Sequence, residues 1–382
     1  MFSLGVLCAL YAGPARPETA EYGERRFPVY LNVDGDYIRT AMQLVSEVRA
    51  YGNGGGIALT DGSAAARGDA ELAAMLAFFE ALRRDDAASL EKSFEPVKAR
   101  DPLQSAAGAT VTVPVRSAGE MAMLYRSAFS NLDGAQVLAK VRVSRGALFL
   151  WRGQTPKGPS IRGFVLLGSA VPGVRRVAEV TMLDPVETFI VNTIGRVPSE
   201  ELGRILASPR SRASGQQARL ALDDRGNELA FAGQGLAVAL RPGAVLPKTG
   251  AEAALAGAWK ASVDKDQDRL ASFYTAVSAR RFREWMRTMK EGEADGFLAY
   301  QGRPATLRYV IDAGPVAIVL VQRGTGAEDG IAHHTLVRAG ERYLIGNLNR
   351  ETFFDDLIRS NRDIQRLVSP AAPEGKGPSA RR

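Results

Sequence analysis

A chain of 382 residues, 46% of them hydrophobic, has room for two or three ordinary domains with cores that need no disulfide or metal. Its one cysteine, Cys8, excludes an internal disulfide and a thiolate metal site. Lys and Arg (49) exceed Asp and Glu (42) for a net charge of +7; that balance suits acidic partners, but no segment is dense enough to argue for nucleic acid, and a mildly basic soluble surface is the favoured explanation.

In chain order, residues 1–20 hold an apolar run, Phe2–Tyr11, followed by Gly13-Pro14-Ala15. The run has the length of an export-signal core, although no Lys or Arg precedes it, and a first core strand or helix is the other reading. It favours an exported or periplasmic protein and leaves a cytoplasmic one open. No later run reaches the ~20 apolar residues of a membrane span.

Residues 21–66 read as an N-terminal extension: a strand "RFPVYLNV", a turn at "DGD", a helix from Tyr37 to Val48 with Asp36 as N-cap, and the loop "GNGGG". The two aspartates lack the further ligands of a calcium loop, and the glycines lack the Lys-Ser/Thr of a phosphate loop. Arg67-Gly68-Asp69 is an everyday tripeptide.

Residues 67–196 form a first α+β unit. "FFEALRRDDAASLEKSF" (Phe78–Phe94) has a helical apolar face. A loop, a short strand (Thr110–Val115) and a helix from Ala118 follow. Three apolar strands come next, "ALFLWRGQ", "GFVLLGSAV" and "RRVAEVTML", then the phrase Glu187-Thr188-Phe189. Residues 197–250 connect, with a helix at 198–208 capped by Ser199 and a β-hairpin at 218–240 turning at "DDRGN". The arginines of "SPRSRASGQQAR" are too few for an electrostatic argument.

Residues 251–362 repeat the first unit. "FYTAVSARRFREWMRTM" (Phe273–Met289) lies over Phe78–Phe94, "IVLVQRGT" over "ALFLWRGQ", and Glu351-Thr352-Phe353 closes the copy. Residues 363–382 are Pro/Gly/Ala-rich and read as a disordered tail. The fold class is therefore α+β: two repeated helix-then-antiparallel-sheet domains with a hairpin-containing connector. Helices followed by curved hairpin strands resemble the cone-shaped fold of the nuclear-transport-factor-like superfamily, which includes ketosteroid isomerase. The resemblance rests on element order, and the Glu-Thr-Phe helices depart from that family's terminal strand. It implies a cavity inside the cone and a function class ranging from isomerase or dehydratase to non-catalytic binder.

The candidate chemistry is sparse. His333 and His334 are the only histidines. Adjacent on a strand, they face opposite ways, so at most one can be a general base in a cavity; a polar pair on a half-exposed strand is the alternative. Asp312, with Tyr309 and Tyr343, could form an acid–base pocket, or be the turn aspartate of "DAGP". Arg280, Arg283, Arg287 and Lys290, with Arg281, surround Phe282, Trp285, Met286 and Met289. That helix could meet an anionic surface, or bury its apolar face with Trp285 and solvate its basic one. Together these readings favour a non-catalytic binding or scaffold protein for a protein or apolar small molecule, with no cofactor and no metal. The alternative is an isomerase or dehydratase-like enzyme with its pocket in the second repeat.

Overall fold

The computed structural model describes residues 22–52, 55–59, 66–94, 103–104, 110–111, 118–168, 175–178, 183–208, 218–290, 292–323 and 331–348. Cys8 with the apolar run at 2–11, the strand positions 112–115, the second Glu-Thr-Phe and the tail lie outside them.

The chain opens with a long hairpin, β1 (Tyr22–Val33) and β2 (Asp36–Ala50). Asp34 and Gly35, both at positive φ (57° and 107°), make its two-residue turn, the geometry that matches strand twist. This corrects the helix expected from Tyr37 to Val48. Helix propensities differ by only tenths of a kcal/mol per residue, and here β2 pairs with β1 along its length and with two further strands. Extended, it buries Met42, Leu44 and Val48 on the shared interior. Asp36 begins the strand and caps no helix.

After β3 (Ile57–Ala58) come α1 (Ala70–Arg84), α2 (Ala87–Ser93), the pair β4 (Leu103–Gln104) and β5 (Thr110–Val111), and α3 (Ala118–Arg126). A meander follows: β6 (Asn131–Val143), β7 (Gly146–Thr155), β8 (Gly158–Gly168) and β9 (Arg175–Ala178). Then come α4 (Pro185–Arg196), α5 (Ser199–Ala207) and the hairpin β10 (Ala218–Ala221) with β11 (Glu228–Leu240). The last elements are α6 (Gly250–Val263), α7 (Gln267–Ala271), α8 (Ala276–Thr288), α9 (Glu293–Gln301), and a second meander of β12 (Ala305–Asp312), β13 (Val316–Arg323), β14 (Ile331–Ala339) and β15 (Arg342–Gly346). The protein is α+β, with helices packed on one large antiparallel sheet.

That sheet runs β15-β14-β13-β12-β11-β2-β6-β7-β8-β9, with β1, β10 and β3 as side branches. The two meanders meet through β2 and β11. β7 and β13 are buried on both faces, which is why each reads as an unbroken apolar run. Leu148, Leu150, Ile318 and Leu320 enter one core shared with the hairpin and α4. Phe149 and Trp151 face α1–α3, while Val319 and Val321 face α6–α9.

The repeated phrase acquires a structural meaning in its first occurrence. Asp184 caps α4, and Glu187 completes a capping box. Glu187 is fully buried yet ion-paired with Arg145 of the β6–β7 turn, whose backbone N–H it also accepts at 3.0 Å. Phe189 packs in the shared core. Ser199, expected as the N-cap of α5, lies instead inside its first turn, where its hydroxyl accepts the N–H of Ile161 at 3.0 Å.

Candidate functional site

Backbone landmarks bring the two halves into correspondence. Phe94 makes a parallel bridge to Val177, and Tyr274 makes one to Ile345. Val177 pairs with Leu166, which pairs with Ala147; Ile345 pairs with Leu336, which pairs with Ala317. Asp85 and Lys265 are both left-handed, and Asp86 and Asp266 both cap the next helix. Ala147 therefore answers to Ala317, not to Ile318 as the sequence comparison had it; a one-residue slip inverts every face. Tyr274 answers to Phe94, not Phe79, and Phe273 follows α7 instead of lying within a helix.

In this register the helix-side interiors differ sharply. In the first half Phe79 stacks on Trp151 with ring centroids 3.8 Å apart and meets Phe164 edge-on at 5.0 Å. Phe94, Tyr125 and Phe129 complete an aromatic core. Gly153 leaves room for the Phe129 ring, which a Cβ there would meet at 2.5 Å. At the matching positions the second half holds Trp259 for Phe79, Val321 for Trp151, His334 for Phe164 and Arg323 for Gly153. Val321 and His334 are smaller than the rings they answer to, Trp259 and Arg323 larger, and a hollow of about 40 Å³ is lined by these residues with Leu240, Leu255, Leu307 and Tyr274, among others.

The polar groups of this hollow are unusual for a core. Arg323 is half-buried at the end of β13. Its Nη2 donates to Gln301 Oε1 at 2.8 Å and its Nη1 to the Tyr300 carbonyl at 3.4 Å, and it lies over the Tyr300 ring at 5.3 Å. Both partners are neutral, no carboxylate belongs to the lining among the described residues, and burial draws the guanidinium pKa down. His334 keeps some exposed surface while protein atoms crowd its ring. Burial first, then Arg323 and His333, hold its pKa down to about 4, so the imidazole is neutral at pH 7. Tyr274, its own pKa raised by burial, stacks on Phe282. Trp259 donates to the Arg303 carbonyl at 3.0 Å.

His333 and His334 face opposite sides. His334 pairs with Val319 of the second-half core and His333 with Leu320 of the shared core. Both line an open groove of about 760 Å³, bounded by Asp34, Ser278 and Arg281 and sharing Tyr274, His334 and Ile345 with the hollow. Asp34 holds this corner together: it accepts hydrogen bonds from the hydroxyls of Thr275 and Ser278 and from the backbone of Asn347. Asp312 is exposed and accepts the Gly314 N–H at 3.0 Å within its turn. It lines a separate hollow with Arg338 and Tyr343. Tyr309 packs on the other face against Phe231. The structure thus does not bring Asp312 into one hollow with either histidine.

On α8, Phe282 and Met286 are buried while Arg280, Arg281, Arg283, Arg287 and Lys290 are exposed. Trp285, expected in the core, is 45% exposed and rests edge-on against Phe297 at 4.6 Å. Its place on the polar arc of the helix decides this, since the buried arc is fixed by Phe282 and Met286.

Sequence reading passed over a buried charge cluster around Asp69. One oxygen of Asp69 accepts from Lys140 at 2.6 Å, Arg49 at 2.8 Å and Tyr51 at 3.3 Å, while the other caps α1 through Leu72 N–H. Lys140 also reaches Glu71 at 3.3 Å, while Arg49 Nε stays buried without an acceptor; the carboxylate thus anchors α1 to the sheet. Arg323 and Tyr274 were also passed over; the arginine closing an otherwise apolar strand was the available signal. Among the described residues no cluster of His, Cys, Asp and Glu could hold a metal, and no helix is long and apolar enough to cross a membrane. No protein-family model, curated protein or solved structure matches the chain.

Proposed function

We propose that the chain is a non-catalytic binding protein made of two cone-like α+β repeats, the first a filled structural unit and the second the ligand-holding one. One observation carries the reading. Positions packed with Phe79, Trp151 and Phe164 in the first half become Trp259, Val321 and His334 around a polar hollow in the second. Proteins fill their interiors closely, so a hollow at a place the same architecture can fill favours a retained site. The isomerase-like alternative would need a base and an acid converging on one substrate; Asp312 and His334 line different hollows, which favours binding over chemistry. Filling the hollow with His334→Phe should abolish small-molecule binding in ligand-observed NMR while the protein stays folded. Undiminished binding by that variant would sink the proposal.

A second reading, an adaptor for anionic surfaces, is favoured by the exposed arc of Arg280, Arg283, Arg287 and Lys290 beside Trp285. Salt-sensitive co-sedimentation with anionic vesicles would support it, and its absence at low salt would remove it.

A further inference from the structure

We infer that the second-half hollow takes the carboxylate end of a small apolar acid; the inference rests on the binding reading above. A half-buried guanidinium is costly unless an anion meets it, and Arg323 has only a carbonyl and an amide oxygen as partners among the described residues. It stands where the first half has glycine, so packing in this architecture does not require it. Its planar fork carries five N–H groups and suits a carboxylate held by two parallel bonds.

The surroundings sharpen the ligand class. Among the described residues no acidic side chain lines the hollow to compete for Arg323. The Tyr274 hydroxyl and the neutral His334 ring stand in the same lining and add donors suited to the same oxygen atoms. The rest of the wall is mostly apolar, with Leu240, Leu255, Trp259 and Leu307; Ser262 and Gln301, the Arg323 partner, are its other polar members. About 40 Å³ holds roughly three waters or one carboxylate head. The body of the ligand then extends past Tyr274 and Ile345 into the open groove that shares them; Asp34, Ser278, Arg281 and His333 also line that groove, so only the part of the ligand nearest the hollow meets apolar wall. A phosphate would bring two charges to one guanidinium, so inorganic phosphate serves as the discriminating anion.

The test compares octanoate, octanamide and inorganic phosphate by calorimetry and ligand-observed NMR on the full chain. Octanoate should bind at least ~10-fold more tightly than octanamide, and phosphate should not displace it. Arg323→Gln should erase that preference, Arg323→Lys should retain part of it, and His334→Phe should remove both ligands; circular dichroism confirms that each variant is folded. Equal affinity for acid and amide, unchanged octanoate affinity in Arg323→Gln, or displacement by phosphate would overturn the carboxylate inference and leave the binding reading standing. If neither octanoate nor octanamide binds the wild-type protein, the carboxylate inference is overturned; a broad screen of apolar molecules that also finds no ligand displaced by His334→Phe would remove the binding reading as well.

Discussion

The two helix-side interiors of this protein do the same packing task with opposite materials. In the first, Phe78, Phe79, Phe94, Tyr125, Phe129, Trp151 and Phe164 pack ring against ring. In the second, alanines dominate α6, and a histidine and an arginine stand where the first half has an aromatic ring and a glycine. The helix starts differ too: α1 is capped by a buried, multiply bonded Asp69, whereas Thr249 makes no side-chain cap bond to α6. A site needs open volume and unspent polar groups, and both cost stability. The difference lies in what occupies the space between helices and sheet: ring against ring in one interior, open volume beside Arg323 and His334 in the other.

The most severe way to break the contrast is to hollow the filled half. Trp151→Ala removes the ring stacked on Phe79 and should cost about 4 kcal/mol, read by urea unfolding; a loss under ~1 kcal/mol would mean that the aromatic core is not what stabilises this half. Asp69→Ala takes the carboxylate from Arg49, leaves Lys140 only its longer contact to Glu71 and uncaps α1, for an expected ~3 kcal/mol. By contrast Thr249→Ala should cost well under ~0.5 kcal/mol, since no cap bond is lost.

The second half should respond to acid already between pH 7 and 4, whereas Asp69 of the first half, its carboxyl held below the usual range, gives up its contribution only at lower pH. The pKa of His334 is depressed from 6.5 to about 4 by burial, with Arg323 and His333 adding to it. The unfolded chain therefore binds the extra proton between these values, and stability present above pH 6.5 is lost as pH falls towards 4, on the order of 2 kcal/mol. Denaturation midpoints between pH 4 and 7 should flatten in His334→Gln; an unchanged slope would assign the effect to other groups. His334→Phe, which imitates Phe164, should raise stability by about 1 kcal/mol at pH 7 through filling the ~40 Å³ hollow. Destabilisation in that variant would mean that the two interiors are less alike than their backbones. The smallest effect belongs to Trp285→Ala: with the side chain 45% exposed, thermal unfolding should move by less than ~0.5 kcal/mol equivalent, whatever happens to vesicle binding.

Much of the architecture could be read from local pattern, and the site could not. "DDRGN" between alternating strands named the β10–β11 hairpin, and "LDPVET" carries the Asp184 and Glu187 of a capping box. The segment after Asp34-Gly35 misled, because Met42, Leu44 and Glu47 favour helix locally while three strand partners outweigh that preference. His334 was visible as a rare residue; nothing local said that its neighbours would be Arg323 and Tyr274, which come from another strand and from the turn before α8.

The α+β class is legible in the chain, because the periods of strands and helices are written in consecutive residues. Only the tertiary structure decided the register between the halves and the location of the hollow. A strand buried on both faces carries no alternation from which to read its facing, and an empty volume is a property of side chains that meet across the fold, not of any residue in the chain.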